Sequence, residues 1–314
     1  MKIAITGSNG FVGNACCNYL IDKSFEIKKL QRIRETGAFY VDSFSPKTNW
    51  SEALNDVDVI IHCAALVHEV KIKKQNLKKY NKFNAISTYN LAMQAAKNNV
   101  KKFIFLSSIK VNGDYTKKNE AFVDPFLCNP KGCYSISKLN AEIYLREISL
   151  TSNLQTIIIR PPLIYGEGVK ANFLNLIHLI ERRIPLPLAS INNLRSFLYI
   201  DNLCDFIYQI IKSKSEFRSK TFLLSDYESI STTELINQIA KGLNVKSNLF
   251  KIPQEMLYLS SKLLGKEEKL SKLICSLAID SRPSYQFLNW YPPFSINEGI
   301  QKTAQWYKSK KNNS

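Results

Sequence analysis

Tyr134 and Lys138 stand four residues apart in Tyr134-Ser-Ile-Ser-Lys138, so on a helix they share one face and the ammonium can sit beside the phenol. A free phenol titrates near 10, and taking a proton near pH 7 requires its pKa to fall by roughly three units, about 4 kcal/mol. Positive charge from Lys138 acts in that direction. Ser108 closes the strongly apolar run Phe103-Ile-Phe-Leu106 with Ser107. Parallel-sheet enzymes place their chemistry at such strand ends, where a serine hydroxyl can hydrogen-bond a substrate oxygen. A lone Tyr-x-x-x-Lys is most often an exposed helical pair; here the upstream serine and a second motif argue for proton transfer.

That second motif is Gly7-Ser-Asn-Gly10-Phe-Val-Gly13, which follows the short apolar run Lys2-Ile-Ala-Ile-Thr6. Glycines so spaced between a strand and an amphipathic helix allow a tight turn, close approach to a pyrophosphate and close helix packing. The phosphates then lie at the helix N-terminus. Together the two motifs specify a dinucleotide and a proton-transfer device on one sheet.

The elements needed to position them are legible. Apolar strands fall near 2–7, 27–31, 58–63, 102–107 and 155–160, with helical patterns near 11–23, 80–98 and 134–149. This alternation predicts right-handed crossovers and a doubly wound α/β parallel sheet of Rossmann type. After Arg160-Pro-Pro162 the pattern changes. Tyr165-Gly-Glu-Gly168 reads as a turn, and helices follow near 172–183, 201–213, 232–243, 253–277 and 295–309, with short strands near 197–200 and 220–224. The expected organisation is a dinucleotide-binding domain over 1–165, with a strand and helix returning from about 195–225. A smaller, mostly helical substrate-binding lobe over 166–314 closes on the nicotinamide end of the cofactor. The lysine-rich tail from Lys308 to Ser314 reads as disordered.

At 314 residues, 45% hydrophobic and 22% charged, the chain has the composition of a globular protein with a sizeable core. No apolar run approaches the roughly 18 residues that span a bilayer, and the N-terminus enters a strand, so a cytoplasmic location is expected. The seven cysteines, Cys16, Cys17, Cys63, Cys128, Cys133, Cys204 and Cys275, include no Cys-x-x-Cys and no zinc spacing. They read as free thiols, and no metal is expected. The net charge of +17 raises the question of nucleic acid, but the densest basic stretch, Lys71 to Lys82, interleaves only Tyr80 and lacks repeated stacking aromatics. It reads as a solvated surface without nucleic-acid binding, with weak attraction to an anionic membrane or a doubly anionic substrate left open. His62, His68 and His178 are scattered, and His62, at an apolar strand end, reads as packing.

With the glycine turn, Ser108, Tyr134 and Lys138 in order, the chain resembles the extended short-chain dehydrogenase/reductases, the NAD-dependent epimerase/dehydratase family. The likeness is most detailed in Ser107-Ser-Ile-Lys-Val-Asn-Gly113, in Arg160-Pro-Pro-Leu-Ile-Tyr-Gly166 through Phe173, and in Leu186-Pro-Leu and Arg195-Ser-Phe-Leu-Tyr-Ile-Asp201-Asn. Those segments are similar to the branch that makes or reduces UDP-linked amino sugars for bacterial surface polysaccharide. The resemblance implies Ser108, Tyr134 and Lys138 as catalytic. It implies that Gly7, Asn9, Gly10, Phe11, Val12, Gly13, Gln31, Arg32, Asp42, Ala64, Ala65, Asn84, Tyr134, Lys138 and Pro161 line the cofactor. Asn172 and Arg195, with Ser108, are implied to hold the nucleotide-sugar substrate, and a guanidinium's planar fork suits a diphosphate. A homodimer through two helices is the family's expected assembly.

Two departures from the family pattern matter. Dehydrating members carry an acidic pair directly after the hydroxyl residue, where this chain has Ile109-Lys110, which disfavours 4,6-dehydration. At the end of the second strand, where NAD enzymes usually offer an acid to the ribose, the chain has Gln31 followed by Arg32 and Arg34. An arginine there accommodates a 2′-phosphate, so either NADP(H) or NAD(H) is the expected cofactor. That choice tilts the expectation toward a 4-ketoreductase of a UDP-4-keto-6-deoxy-N-acetylhexosamine. A UDP-glucose or UDP-N-acetylhexosamine 4-epimerase is the alternative, and a catalytically silent NAD(P)-binding regulator the alternative of another class.

Overall fold

The computed structural model describes residues 1–67, 74–263, 265 and 267–312. Seven strands, β1 (Lys2–Thr6), β2 (Glu26–Gln31), β3 (Ala38–Tyr40), β4 (Val59–His62), β5 (Lys102–Leu106), β6 (Gln155–Arg160) and β9 (Lys220–Leu223), form a wholly parallel sheet in the order β3-β2-β1-β4-β5-β6-β9. The chain winds outward from β1 to β3 and then returns to β4 on the other side of β1. The carboxyl ends of β1 and β4 therefore flank a topological switch point, where doubly wound sheets bind their ligands. β7 (Leu163–Tyr165) and β8 (Phe197–Tyr199) form a separate parallel pair beyond that edge.

The central strands are apolar on both faces because helices cover both. Ile3 and Ile5 of β1, Ile104 of β5 and Ile157 and Ile159 of β6 pack with Cys16, Cys17 and Leu20 of α1 (Phe11–Asp22) and with Phe206 and Ile210 of α6 (Ile200–Lys212). Ala4, Phe103, Phe105 and Ile158 point the other way, toward Leu91, Ala92 and Ala95 of α3 (Ser87–Lys97) and Ala141, Leu145 and Ile148 of α4 (Cys133–Thr151). Lys102, buried at the start of β5, donates to the carbonyls of Ile210 (2.8 Å) and Ser213 (2.7 Å). It thereby serves carbonyls left without helical partners at the C-terminus of α6.

The remaining helices are α2 (Lys74–Tyr80), α5 (Ala171–Glu181), α7 (Thr232–Leu243), α8 (Gln254–Leu263), α9 (Glu267–Ile274), α10 (Arg282–Leu288) and α11 (Ile296–Asn312). Gly242 lets α7 approach α11 closely, since a Cβ there would lie 2.8 Å from the Ala304 Cβ. A buried carboxylate, Asp226, joins this part to the sheet. It accepts from the Tyr199 amide (3.0 Å), the Tyr165 hydroxyl (2.9 Å) and the Asn202 amide (2.8 Å).

Four sequence readings are corrected. The single helix expected over 253–277 is two, because Gly265 adopts φ +62° between α8 and α9 and the chain past Ile274 is extended, with Leu277 bridging Arg195 and Ile279 bridging Phe122. The helix expected over 80–98 contains a wide π-helical turn at Asn81–Ile86 before α3. The tail is not disordered through its length: α11 continues to Asn312, and the Lys311 ammonium lies 2.8 Å from a Glu181 carboxylate oxygen. α10 had no counterpart in the sequence reading. Lys78, Lys79 and Lys82 are exposed, whereas Lys71, Lys73 and His68 lie outside the described residues.

Candidate active site

The glycine turn is built as its spacing demands. Gly7 has φ +67°, and a Cβ on it would lie 2.9 Å from the Ala64 nitrogen; on Gly13 a Cβ would lie 2.2 Å from the Gly7 carbonyl oxygen. No side chain larger than hydrogen fits either place. Gly10 is the extended N-cap of α1 and offers no side chain to cap it, so the first amides of α1 are available to an anion. Asn9 is exposed, Phe11 and Val12 are half-buried, and the stretch from Cys63 to Leu66, including Ala64 and Ala65, runs beside the turn. Asn84 secures that stretch: its Oδ1 accepts from the Leu66 amide (2.7 Å), and its Nδ2 donates to the Leu66 carbonyl and the Ser137 hydroxyl, both at 3.0 Å. Its side chain is thus engaged by the protein and supports the cofactor loop from behind.

Two buried atoms here, Ser8 Oγ at the turn and Gln31 Oε1 at the end of β2, have no hydrogen-bond partner among the described residues. Buried polar atoms rarely go unpartnered. Together with a cradle that any Cβ would fill, they fit a dinucleotide cofactor, which the Gly7–Gly13 turn and Gln31 would hold. Arg32 and Asp42 are exposed, and Arg34 stacks on Tyr40, its guanidinium carbon 4.7 Å from the ring centroid.

α4 carries Tyr134 and Lys138. Its start is closed by Ser135, whose hydroxyl accepts from the Gly132 amide at 3.0 Å. One and a half turns on, the fully buried Lys138 donates to the Leu106 carbonyl at 2.7 Å, with its ammonium 4.3 Å from the Phe105 ring centroid and 5.9 Å from that of Tyr134. This contact fastens α4 to the end of β5, which leads directly into Ser108. Ser108 caps the short turn Ile109–Val111, its Oγ accepting from the Lys110 amide at 3.3 Å. The Pro161 carbonyl receives the Ile109 amide at 2.9 Å and so ties the end of β6 to the same point.

Burial lowers the Lys138 ammonium to about 8, with Cys63 and Glu142 opposing that shift. Burial, followed by the neighbouring Tyr80, pushes the Tyr134 phenol above its ordinary value. The chain alone therefore keeps Tyr134 a proton donor, and its service as a base requires further positive charge. His62 is enclosed by Thr6 Oγ1 (2.7 Å) and Thr88 Oγ1 (3.0 Å), and desolvation, then Lys138, lowers it to about 3. It is neutral packing at the end of β4, as its sequence context indicated.

Arg195 lies in an extended segment bridged to Ile230 and Leu277, and its Nη1 donates to the Cys275 carbonyl at 2.9 Å. Leu277, which Arg195 bridges, belongs to the same small apolar cluster as Ile109, the residue after Ser108. Asn172 is exposed in the first turn of α5, next to Ala171 at φ +54°. Its segment begins near the glycine turn, since a Cβ on Gly168 would lie 3.5 Å from the Phe11 ring. Sequence reasoning missed Glu142 and the partnership of Ser107 and Arg160 with it. The available signal was spacing: Glu142 follows Lys138 by four residues, as Lys138 follows Tyr134.

The described geometry is a glycine-turn cradle at the carboxyl edge of a parallel Rossmann-type α/β sheet, with Ser108 at the end of β5 and Lys138 of α4 bonded to the Leu106 carbonyl beside it. The chain belongs to the NAD dependent epimerase/dehydratase family, which it matches over residues 3–224. It is 36% identical over 311 residues to a UDP-glucose 4-epimerase of Vibrio cholerae, covering 97% of this chain and 94% of that protein. It is 25% identical to the N-acetyl-alpha-D-glucosaminyl-diphospho-ditrans,octacis-undecaprenol 4-epimerase of Escherichia coli O157:H7, over 97% and 95% of the two chains. Among solved structures, the UDP-N-acetylglucosamine 4-epimerase from Bacillus cereus superimposes with a TM-score of 0.80 at 20% identity, over 98% of this chain and 99% of that one. By that membership the protein is an enzyme.

Proposed function

We propose that the protein is a UDP-hexose 4-epimerase that retains its NAD. The observation carrying this is the Ser108, Tyr134 and Lys138 cluster at the end of β5, in a chain similar over nearly its whole length to a UDP-glucose 4-epimerase. Bound NAD supplies acceptance of the C4 hydride, its later return, and positive charge beside Tyr134. Tyr134 Oη takes the proton of the C4 hydroxyl and gives it back, Ser108 Oγ hydrogen-bonds O4, and the Lys138 ammonium favours the phenolate. Arg195 and Asn172 hold the diphosphate. Ile109 and Lys110 leave no acid for proton removal at C5, which sets this reading apart from dehydration. Gln31 Oε1, buried and free to accept from a ribose hydroxyl, favours NAD over NADP.

A second reading, the 4-ketoreductase, draws support from the exposed Arg32 guanidinium beside Gln31 and from 24% identity to the dTDP-4-dehydro-6-deoxyglucose reductase of Escherichia coli. Incubation with UDP-galactose and UDP-N-acetylgalactosamine, without added dinucleotide, separates the two. Interconversion of C4 epimers supports the epimerase. Net NADPH consumption with a UDP-4-keto-6-deoxy-N-acetylhexosamine, without epimerisation, supports the reductase, and turnover in neither assay points to the silent dinucleotide-binding regulator.

The proposed assembly is a homodimer through the helices that expose Phe83, Ile86, Ile143 and Leu150, and sedimentation of Ile143→Lys as a monomer would support it. Weak association with an anionic membrane has its best candidate surface where Phe250, Met256 and Leu259 are exposed among Lys246, Lys251 and Lys262. Among the described residues no helix is long and apolar enough to cross a membrane. A cytoplasmic location suits seven cysteines without a disulfide framework.

A further inference from the structure

Behind the candidate site lies a charged cluster with almost no access to water. The Glu142 carboxylate, fully buried, accepts four hydrogen bonds: Oε1 from the Ser107 hydroxyl (2.5 Å) and Arg160 Nε (2.9 Å), Oε2 from Arg160 Nη2 (2.5 Å) and Arg146 Nη2 (3.0 Å). Arg160, also fully buried, uses the rest of its guanidinium on Asn112 Oδ1 (2.8 Å), the Pro125 carbonyl (2.6 Å) and Cys128 Sγ (3.5 Å). Every N–H of the guanidinium is thereby engaged. A buried ion pair of this kind adds little net stability, because desolvation offsets most of the attraction. What it does supply is geometry, since the bidentate fork fixes both partners in angle and distance.

The parts that it fixes are those that carry the chemistry. Glu142 is one helical turn past Lys138 on α4, Ser107 immediately precedes Ser108 on β5, and Arg160 immediately precedes Pro161, whose carbonyl holds the turn that Ser108 caps. Asn112 and the Pro125 carbonyl belong to the loop that leaves this turn. One carboxylate thus joins the helix of Tyr134 and Lys138 to both strand ends beside it.

We propose that Glu142 is a positioning residue, which through Ser107 and Arg160 sets the distance between the Ser108 hydroxyl and the Tyr134–Lys138 face of α4. This inference rests on the reading of those three residues as catalytic. Glu142 also opposes the effect of burial on Lys138, whose other titratable neighbours are Tyr134 on its own helix and His62 and Cys63 at the end of β4.

The test uses the full-length enzyme with UDP-galactose as probe. Glu142→Gln leaves Arg160 short of a counter-charge and risks unfolding, so Ser107→Ala is the principal variant; it leaves the ion pair whole and removes only its link to Ser108. The expected result is a kcat lowered by about 10- to 100-fold, since misplacement near 1 Å suffices for such a loss. The KM and the dinucleotide affinity should stay within about twofold, the pattern of an interaction made in the transition state. In folded Glu142→Gln, the alkaline limb of the kcat profile should move to lower pH, because Lys138 loses its proton sooner. Wild-type kcat in Ser107→Ala overturns the proposal. A crystal structure of Ser107→Ala supplies a readout independent of turnover: displacement of Ser108 Oγ relative to Lys138 is expected, and an unmoved Ser108 refutes the positioning role. If the wild-type protein does not convert UDP-galactose, the functional reading falls, and the placement of Ser108 alone decides this proposal.

Discussion

Two buried carboxylates sit on opposite sides of the carboxyl edge of the sheet, and their surroundings differ in kind. Glu142 faces Arg160 and Arg146, so its charge is matched. Among the described residues Asp226 is held by neutral donors, the Tyr165 hydroxyl, the Asn202 amide and the Tyr199 backbone, and burial raises it to about 6 despite those bonds. A matched charge keeps its geometry across pH, which suits the residues that position proton transfer. An unmatched one joins the β7–β8 pair to α6 but becomes sensitive to protonation near neutrality. The two clusters divide the edge between them: the charged one ties α4 to the ends of β5 and β6, and the neutral-donor one ties β7 and β8 to α6.

The sharpest way to break this division is at Tyr134. Tyr134→Phe should lower turnover by about 10²–10⁴-fold, the usual contribution of general acid–base catalysis, while dinucleotide binding and thermal stability stay near wild type because the ring's packing is kept. A rate above about a third of wild type would remove Tyr134 from the chemistry. Asp226→Ala should do the opposite. It leaves three buried donors without their acceptor, at about 1–3 kcal/mol each when unsatisfied. Chemical denaturation should therefore report a loss of several kcal/mol, with kcat per folded molecule little changed; a large kcat defect in folded protein would dissolve the distinction.

Arg195 belongs to neither cluster; its Nη1 donates to the Cys275 carbonyl. Charge-assisted hydrogen bonds contribute roughly 1.5–3 kcal/mol, so Arg195→Ala should weaken UDP binding by about tenfold or more in calorimetry. Arg195→Lys should recover only part, because an ammonium lacks the fork. Unchanged UDP affinity would detach Arg195 from the diphosphate. The smallest effect is in pH dependence. Asp226 holds its proton more tightly folded than unfolded, so its contribution to stability is fully present below the unfolded carboxyl pKa and is lost as pH rises through about 6. His62 has the reverse sign, since its folded pKa is depressed: its contribution is present above the unfolded pKa and is lost as pH falls toward about 3. Stability curves for Asp226→Asn should lack the first component and keep the second. An identical pH slope in wild type and Asp226→Asn would show that Asp226 does not titrate as described.

Six of the sheet's seven strands and the motifs at its edge were legible because they depend on local pattern; β3, three residues long, was too short to show one. Apolar runs such as Phe103-Ile-Phe-Leu106 and glycines at positions 7, 10 and 13 announce themselves without knowledge of the rest of the chain. The break between α8 and α9 was not, because Leu263 to Ile274 keeps a helical apolar period across Gly265, and only the extended pairing of residues beyond Ile274 with Arg195 and Phe122 shows where the helix must stop. Glu142 was hidden for a related reason. Its partner Arg160 is 18 residues away and Ser107 is 35 away, so the four-residue spacing from Lys138 gives the shared helix face but not the partners that bury it. The lysines of the tail read as disorder by composition, yet the contact of Lys311 with Glu181, 130 residues earlier, gives the end of α11 a partner.

In a 4-epimerase that retains its NAD, the hydrogen that leaves C4 of the nucleotide sugar returns to C4 within one active site. UDP-galactose labelled with deuterium at C4, incubated with the purified protein and no added dinucleotide, reads this out by mass and NMR analysis of the product. The expected product is UDP-glucose that retains the deuterium at C4, with Tyr134→Phe giving almost none of it. Absence of UDP-glucose, or product whose C4 deuterium has been replaced by hydrogen from solvent, would contradict the epimerase reading.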